Sequence, residues 1–315
     1  MKLFFVSLGC DKNLVDSEVM LGYLREKNYE ITNDETEADV VVVNTCCFIH
    51  DAKEESINTI LEMAEYKKCG SLKALIVAGC LAQRYHAEIR EEIPEVDAII
   101  GTTGYEAICD AIEKALQGHF SENLKDVNYL PKNDTIRVNT TGGYYAYLKI
   151  AEGCDKHCTY CVIPSIRGKF RSVPMEKLLE EASYLALNGA KELILVAQET
   201  TLYGVDLYGE KRLPALLTEL CKISGLEWIR ILYCYPEEIT DGPLICSAKA
   251  SISASRGVTS NVTVEYARFK PCVCKRDFEV SEPVANTSTF CKIVQVTKLR
   301  LPPAPSKSNV PMTST

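Results

Sequence analysis

Two apolar rhythms alternate along the first part of the chain. Short unbroken apolar runs occur at KLFFVSLG (2–9), DVVVVNTC (39–46), KALIVAGC (73–80) and DAIIG (97–101). Between them lie longer stretches with apolar residues every three or four positions: VDSEVMLGYLREKN (15–28), DAKEESINTILEMAEYKK (51–68), AQRYHAEIREEI (82–93) and YEAICDAIEKALQG (105–118). The runs predict strands buried on both faces, and the longer stretches predict amphipathic helices. Strands alternating with helices predict an α/β fold: a doubly wound parallel-sheet domain over 1–117.

Residues 118–143 are polar, carry Pro131 and the pair Gly142-Gly143, and predict a linker. A second strand–helix series comes next. Strands are predicted at YYAYLKIAEG (144–153), KELILVAQ (191–198) and WIRILYCY (228–235), and helices at VPMEKLLEEASYLALNG (173–189) and LPALLTELCKISG (213–225). This second domain is expected to run over 144–242. From Gly242 the texture turns to Ser, Thr, Val and Pro without a helical period, so 243–315 predicts an irregular, poorly ordered tail. Two strand-like pieces stand out in it, VTSNVTVEYARF (258–269) and FCKIVQVTKL (290–299).

Charge narrows the partners. A net charge of −8 and a pI near 5.3 give no global basic field for nucleic acid, leaving only a local patch for such a role. The apolar run at the N-terminus is broken at once by Asp11 and Lys12, too short for a signal peptide or a membrane span. A cytoplasmic protein with no membrane partner is expected. In a reducing compartment, fifteen cysteines point to metal or redox chemistry rather than disulfides.

Six of these cysteines form two sets. Cys10, Cys46 and Cys80 each end a predicted parallel strand, the edge where doubly wound folds bind ligands. Metal ligation is favoured there over three small buried residues. Cys47 adjoins this set, but strand alternation turns it from Cys46. The second set is GCDKHCTYC (153–161), with Cys154, Cys158 and Cys161 on one loop. Zinc would need a fourth ligand, such as His157. Three cysteines on a cubane iron–sulfur cluster leave one iron open for a substrate or cofactor, and the spacing favours this reading. Cys69, Cys109, Cys221 and Cys234 read as small hydrophobes.

The Cys-x3-Cys-x2-Cys run after a first barrel strand resembles the radical S-adenosylmethionine enzymes. That resemblance implies a (β/α) partial barrel, a 4Fe-4S cluster on Cys154, Cys158 and Cys161, and S-adenosylmethionine on the open iron. Cleavage of that cofactor to a deoxyadenosyl radical is then implied, with Tyr160 near the adenine. The upstream domain with Cys10, Cys46 and Cys80 is similar to that of the methylthiotransferases, which implies a second 4Fe-4S cluster. SLGCDKNLVDSE (7–18), CVIPSIRGKFRSVP (161–174), AQETTLYG (197–204) and YCYPEEITD (233–241) resemble the RimO-type ribosomal protein methylthiotransferases. The implied reaction is methylthiolation of the β-carbon of an aspartate in ribosomal protein uS12, with an electron donor such as flavodoxin or ferredoxin. A tRNA adenosine methylthiotransferase, the reading that would bring in nucleic acid, and a non-catalytic iron–sulfur or zinc fragment are the alternatives.

Gln198 and Thr200 follow the second barrel strand, where the superfamily contacts its cofactor. A helix-capping polar turn explains them equally well. Arg167, Lys169 and Arg171 suit either the cofactor carboxylate, a substrate or a solvated basic turn. Asn13 and Asp16 suit caps of the first helix, and Glu237 and Glu238 a solvated turn. The resemblance ends near residue 242 with only part of the barrel present. A truncated reading with an unrelated, misjoined tail is expected, with good folding in the first domain and poor folding after about residue 240.

Overall fold

The computed structural model describes residues 1–70, 72–132 and 137–235, and two short strands beyond them. The first unit runs β1 (Lys2–Ser7), α1 (Asp11–Glu26), β2 (Glu30–Thr32), β3 (Val40–Thr45), α2 (His50–Lys68), β4 (Ala74–Gly79), α3 (Cys80–Arg84), α4 (His86–Glu92), β5 (Ala98–Ile100), α5 (Ile108–Leu116) and β6 (Ser121–Asn123). These strands pair in parallel in the order β2-β1-β3-β4-β5-β6. The strand order reverses between β1 and β3, the switch point at which doubly wound sheets open a crevice.

Strict alternation splits each strand between two cores. Leu3, Phe5, Val40, Val42, Ala74 and Ile76 pack with α1 and α5. Phe4, Val41, Val43, Leu75 and Val77 pack on the opposite face with Ile60, Met63 and Ala64 of α2. The unbroken apolar runs therefore follow from helices covering both faces.

Three local differences from the sequence reading matter. Helix α1 starts at Asp11, four residues earlier than expected, with Cys10 at its N-cap. The single helix expected over 82–93 breaks at Tyr85 (φ −124°, ψ 33°), and Ile89 and Ile93 turn into the core beyond it. Within 118–143 the chain forms β6, and Glu106 pins the segment after that strand. Its carboxylate accepts from Lys125 Nζ at 2.5 Å, Tyr129 Oη at 3.0 Å and the Lys132 amide at 2.7 Å.

Burial opposes the Glu106 charge, yet these donors outweigh it and hold the carboxyl below its ordinary 4.5. A carboxyl depressed on folding stabilises the folded state above its unfolded pKa and loses that contribution as pH falls. Amide protection of 125–132, corrected for intrinsic rates, is expected to drop as pH falls below about 4.5. Glu106→Gln should lower that protection at neutral pH and flatten its pH dependence.

The second unit runs β7 (Tyr145–Lys149), β8 (Ala151–Glu152), α6 (Ile163–Arg167), β9 (Arg171–Ser172), α7 (Met175–Leu187), β10 (Glu192–Val196), α8 (Val205–Tyr208), α9 (Leu213–Leu220) and β11 (Trp228–Ile231). Strands β7, β10 and β11 pair in parallel, and β12 (Val262–Val264) extends them beside β11. This is the expected start of a (β/α) barrel. Ala146, Leu148, Leu193, Leu195, Ile229 and Ile231 bury one face against α7 and α9. Alternation then turns Tyr145, Tyr147 and Lys149 to the other face, where α1 of the first unit packs. Strand β11 is shorter than the predicted 228–235, and Tyr233 just beyond it takes φ +58°.

Strand β13 (Thr297–Lys298) lies antiparallel on β1. β12 and β13 fall within the two strand-like pieces of the tail. The rest of that tail, with Cys246, Cys272, Cys274 and Cys291, lies outside the described residues, as do Glu237 and Glu238 just before it. Among the described residues, no helix is long and apolar enough to cross a membrane.

Candidate functional site

Cys10 caps α1 directly after β1, Cys46 follows β3, and Cys80 opens α3 directly after β4. All three therefore sit at the carboxyl edge of adjacent strands, two of them flanking the switch point. The backbone there is held by buried polar side chains. Asn13 Nδ2 donates to the carbonyls of Leu8 at 3.1 Å and Thr45 at 2.8 Å, tying the ends of β1 and β3. Ser56 Oγ accepts from the Cys46 amide at 3.0 Å and donates within reach of its carbonyl. Gly9 lets the first loop approach the second: a Cβ there would lie 2.5 Å from Cys46 Cβ.

The three thiols are close enough to interact electrically. Burial pushes the Cys46 thiol strongly up, and the neighbouring thiolates of Cys80 and Cys10 add to it. Burial likewise raises Cys80, against the pull of Arg167. Thiolates that repel one another in a dry site are sustained together by a bound cation, so the donor set fits a metal group. Cys47 packs in the same core as Cys80, its thiol donating to the Cys80 carbonyl at 3.3 Å and pushed up to about 12 by burial.

The second triplet lies on the loop between β8 and α6. The Cys154 amide donates to the Gly168 carbonyl at 3.0 Å, and the Cys161 amide to Cys158 at 3.0 Å, so the loop folds back on itself. Asp155 accepts from the Phe170 amide at 3.1 Å. Cys154 is buried while Cys158 and Cys161 are half-buried. Burial raises the Cys154 thiol, with Cys161 and Cys158 contributing. His157 points to solvent, unlike a closed zinc ligand. Tyr160 is 85 % exposed, an aromatic ring open to a ligand beside the loop.

Gln198 Nε2 donates to Glu152 Oε1 at 3.0 Å, while its Oε1 is buried and without a hydrogen-bond partner among the described residues. Thr200 is fully buried, its hydroxyl at 2.7 Å from the Leu232 carbonyl and 3.1 Å from that of Tyr233. It joins the β10 loop to the β11 loop. Lys156 pairs with buried Glu199 at 3.2 Å and lies 3.9 Å over the Tyr235 ring.

A buried set of charges connects the two cysteine sites. Arg167, 1 % exposed, sends Nη1 to Asp16 at 3.1 Å and Glu152 at 3.0 Å, and Nη2 to Asn13 Oδ1 and Cys80 Sγ, the last at 3.5 Å. Lys149 bonds Asp16 and, at 2.9 Å, Glu152. Two acids face two bases, so the set is neutral overall. Burial works against the Glu152 carboxylate, and Arg167 and Lys149 outweigh it, holding its pKa far down.

These contacts correct the readings of three residues, Asn13, Asp16 and Arg167. Asn13 and Asp16 lie inside α1 and are structural ties between units, not caps. Arg167 is neither solvated nor free for a ligand, whereas Lys169 is exposed and Arg171 is partly so. Lys149 and Glu152 carried no signal beyond a charge at the end of an apolar strand.

A second contact pairs buried Arg137 with Glu18 at 3.6 Å and Glu181 at 3.0 Å, while Glu18 also accepts from Thr140. A third sets Tyr233 Oη 3.1 Å from Asp11, its ring under Lys12 Nζ at 3.4 Å. Cys10, Asp11, Tyr145, Tyr147 and Tyr233 line a cavity of about 140 Å³ between the units. Cys109 and Cys234 are buried with thiols pushed up to about 11 by burial, as inert core residues are. Cys69 is exposed and Cys221 half-buried. Among the described residues, no three His, Cys, Asp or Glu side chains close around a single-ion position.

The comparisons with known proteins divide the chain as the two sheets do. Residues 2–101 match the family described as Uncharacterized protein family UPF0004, and residues 148–245 match the Radical SAM superfamily. The ribosomal protein uS12 methylthiotransferase RimO of Lachnoclostridium phytofermentans is 72 % identical over 241 residues, covering 76 % of this chain and 55 % of that protein. The protein of the same name from Clostridioides difficile is 52 % identical over 241 residues, covering 76 % and 54 %. The chain thus spans about half the length of the curated relatives it matches. Among solved structures, the radical S-adenosylmethionine methyltransferase TsrM from Kitasatospora setae gives a TM-score of 0.43 at 11 % identity, covering 69 % of this chain and 55 % of that one.

Proposed function

We propose that the chain is a radical S-adenosylmethionine methylthiotransferase, on its likeness to the uS12 methylthiotransferases and its two family matches, and that it adds a methylthio group to the β-carbon of an aspartate in ribosomal protein uS12. The observation that carries the reading is the pair of cysteine triplets, one at the strand ends of the first parallel sheet and one on the loop between β8 and α6, bridged through Arg167. One triplet alone would serve a generic radical enzyme. Two, each able to hold a 4Fe-4S cluster, suit a reaction that joins sulfur to carbon.

Cys10, Cys46 and Cys80 would hold one cluster, and Cys154, Cys158 and Cys161 the other. With S-adenosylmethionine these groups would supply sulfur, methyl and radical chemistry at an unactivated C–H bond, beyond any side-chain acid or base. The chain's own residues bind and orient. Tyr160 offers an exposed ring to the adenine. Gln198 offers an unspent buried acceptor to the cofactor's ammonium group. Thr200, committed to the backbone of Leu232 and Tyr233, shapes that pocket. Electrons come from a donor such as flavodoxin or ferredoxin, and the setting is cytoplasmic.

Anaerobic reconstitution is expected to load about eight irons and eight sulfides per chain, two four-iron clusters. Cys154→Ala should halve the iron and abolish deoxyadenosine formation on reduction. Cys80→Ala should halve the iron, keep deoxyadenosine formation and lose methylthio transfer to uS12, read by mass spectrometry. Zinc in place of iron, or methylthio transfer to tRNA adenosine instead of uS12, would overturn the reading.

A further inference from the structure

We propose that Arg167 is a positioning residue for the first cysteine site, reaching it from the loop of the second. The inference rests on the reading that Cys10, Cys46 and Cys80 hold an iron–sulfur cluster. Arg167 ends α6, a short helix that comes almost at once after Cys161. Its guanidinium is fixed on two sides. Nη1 bonds the carboxylates of Asp16 and Glu152, and Nη2 bonds Asn13 and the sulfur of Cys80. The carbonyl of Ile166 next to it accepts from Thr102 Oγ1 at 2.8 Å, so the backbone that carries Arg167 is also held by the first unit.

The rigid fork matters here. Asp16 and Glu152 balance the charge, and what remains at Cys80 is a directed N–H donor. A lysine could keep the charge but could not span the carboxylates and the sulfur with a planar fork. A donor to a cluster sulfur stabilises the reduced, more negative state and raises the reduction potential. The same side chain fixes where the second loop sits relative to that sulfur. The two sites are therefore coupled through one residue, and the potential at the first depends on the loop of the second being in place.

The test uses the full chain with Cys154, Cys158 and Cys161 all changed to Ala, so that only the first triplet takes iron. After anaerobic reconstitution, the potential is measured by electron-paramagnetic-resonance redox titration for Arg167, Arg167→Lys and Arg167→Met. The expected order is highest for Arg167, lower for Lys and lowest for Met, with altered g-values in both variants. Arg167→Met leaves two buried carboxylates facing Lys149 alone and is the variant most prone to unfold. Arg167→Lys keeps the charge, and its potential must still fall below that of Arg167. Failure of the Arg167 parent to take up iron overturns the cluster reading and this inference with it. Normal uptake with one shared potential for Arg167 and Arg167→Lys overturns this inference alone.

Discussion

Asp16→Ala is expected to cost the folded chain about 3–5 kcal/mol, the range for breaking a buried ion pair from one side. Asp16 accepts from both Lys149 and Arg167, and each of the three is at most 8 % exposed. Removing the carboxylate leaves two buried cations with Glu152 alone between them. The damage falls on the junction of α1 with β7 and α6 rather than within either core. The chain's single tryptophan, Trp228, sits on β11 of the second unit and reports that unit's unfolding by fluorescence. In Asp16→Ala its guanidinium midpoint should fall and separate from the circular-dichroism transition of the whole chain. Asp16→Asn, which keeps an acceptor, should lose less. Adding Lys149→Met to Asp16→Ala should recover part of the loss, because it removes one of the stranded charges. A double variant no better than the single one would show that the charges do not act as a set.

Much of the fold was readable because burial on both faces writes itself into a strand. Val40–Val43 is apolar at every position since α1 and α5 cover one side and α2 the other. The cysteine sets were readable for a related reason: parallel strands share a carboxyl edge, so residues just past their ends meet even when far apart in sequence. The junction was not readable. Asp16 stands one turn into a helix and looks like any early helical acid. Arg167 lies in a run of bases that resembles a solvated turn. Only the pairing of β7 with α1 shows that Lys149, the last residue of an otherwise apolar strand, needs a carboxylate opposite it. Pairings between units leave little local trace, because each partner satisfies its own neighbourhood equally well as a surface residue. The early start of α1 had a different cause, within the first unit. Cys10 offers no side-chain cap, and the helix begins there because the strand-end loop is held by Asn13 from inside the helix.

Gly153→Ala is expected to empty the second cysteine site while leaving the first able to take up iron. Gly153 takes φ +77°, and a Cβ there would lie 2.0 Å from the Lys169 carbonyl oxygen and 2.6 Å from that of Gly168. Both are backbone atoms, so no side chain can swing aside. The left-handed conformation alone costs an alanine roughly 1–2 kcal/mol, and the clash forces residues 153 and 168–169 apart on top of that. That separation breaks the bond from the Cys154 amide to the Gly168 carbonyl, which closes the cysteine loop, and it moves Arg167 next door. Gly142 provides the control: at φ +80° its Cβ would meet nothing within 4 Å, so Gly142→Ala bears the conformational cost without the clash. Iron and sulfide analysis after reconstitution should give about half the parent's content for Gly153→Ala and the full content for Gly142→Ala. Deoxyadenosine formation should track the iron, absent in the first and present in the second. Equal iron in the two variants would mean that the loop tolerates displacement from residues 168–169, and that its closure is not what readies the three cysteines for a cluster.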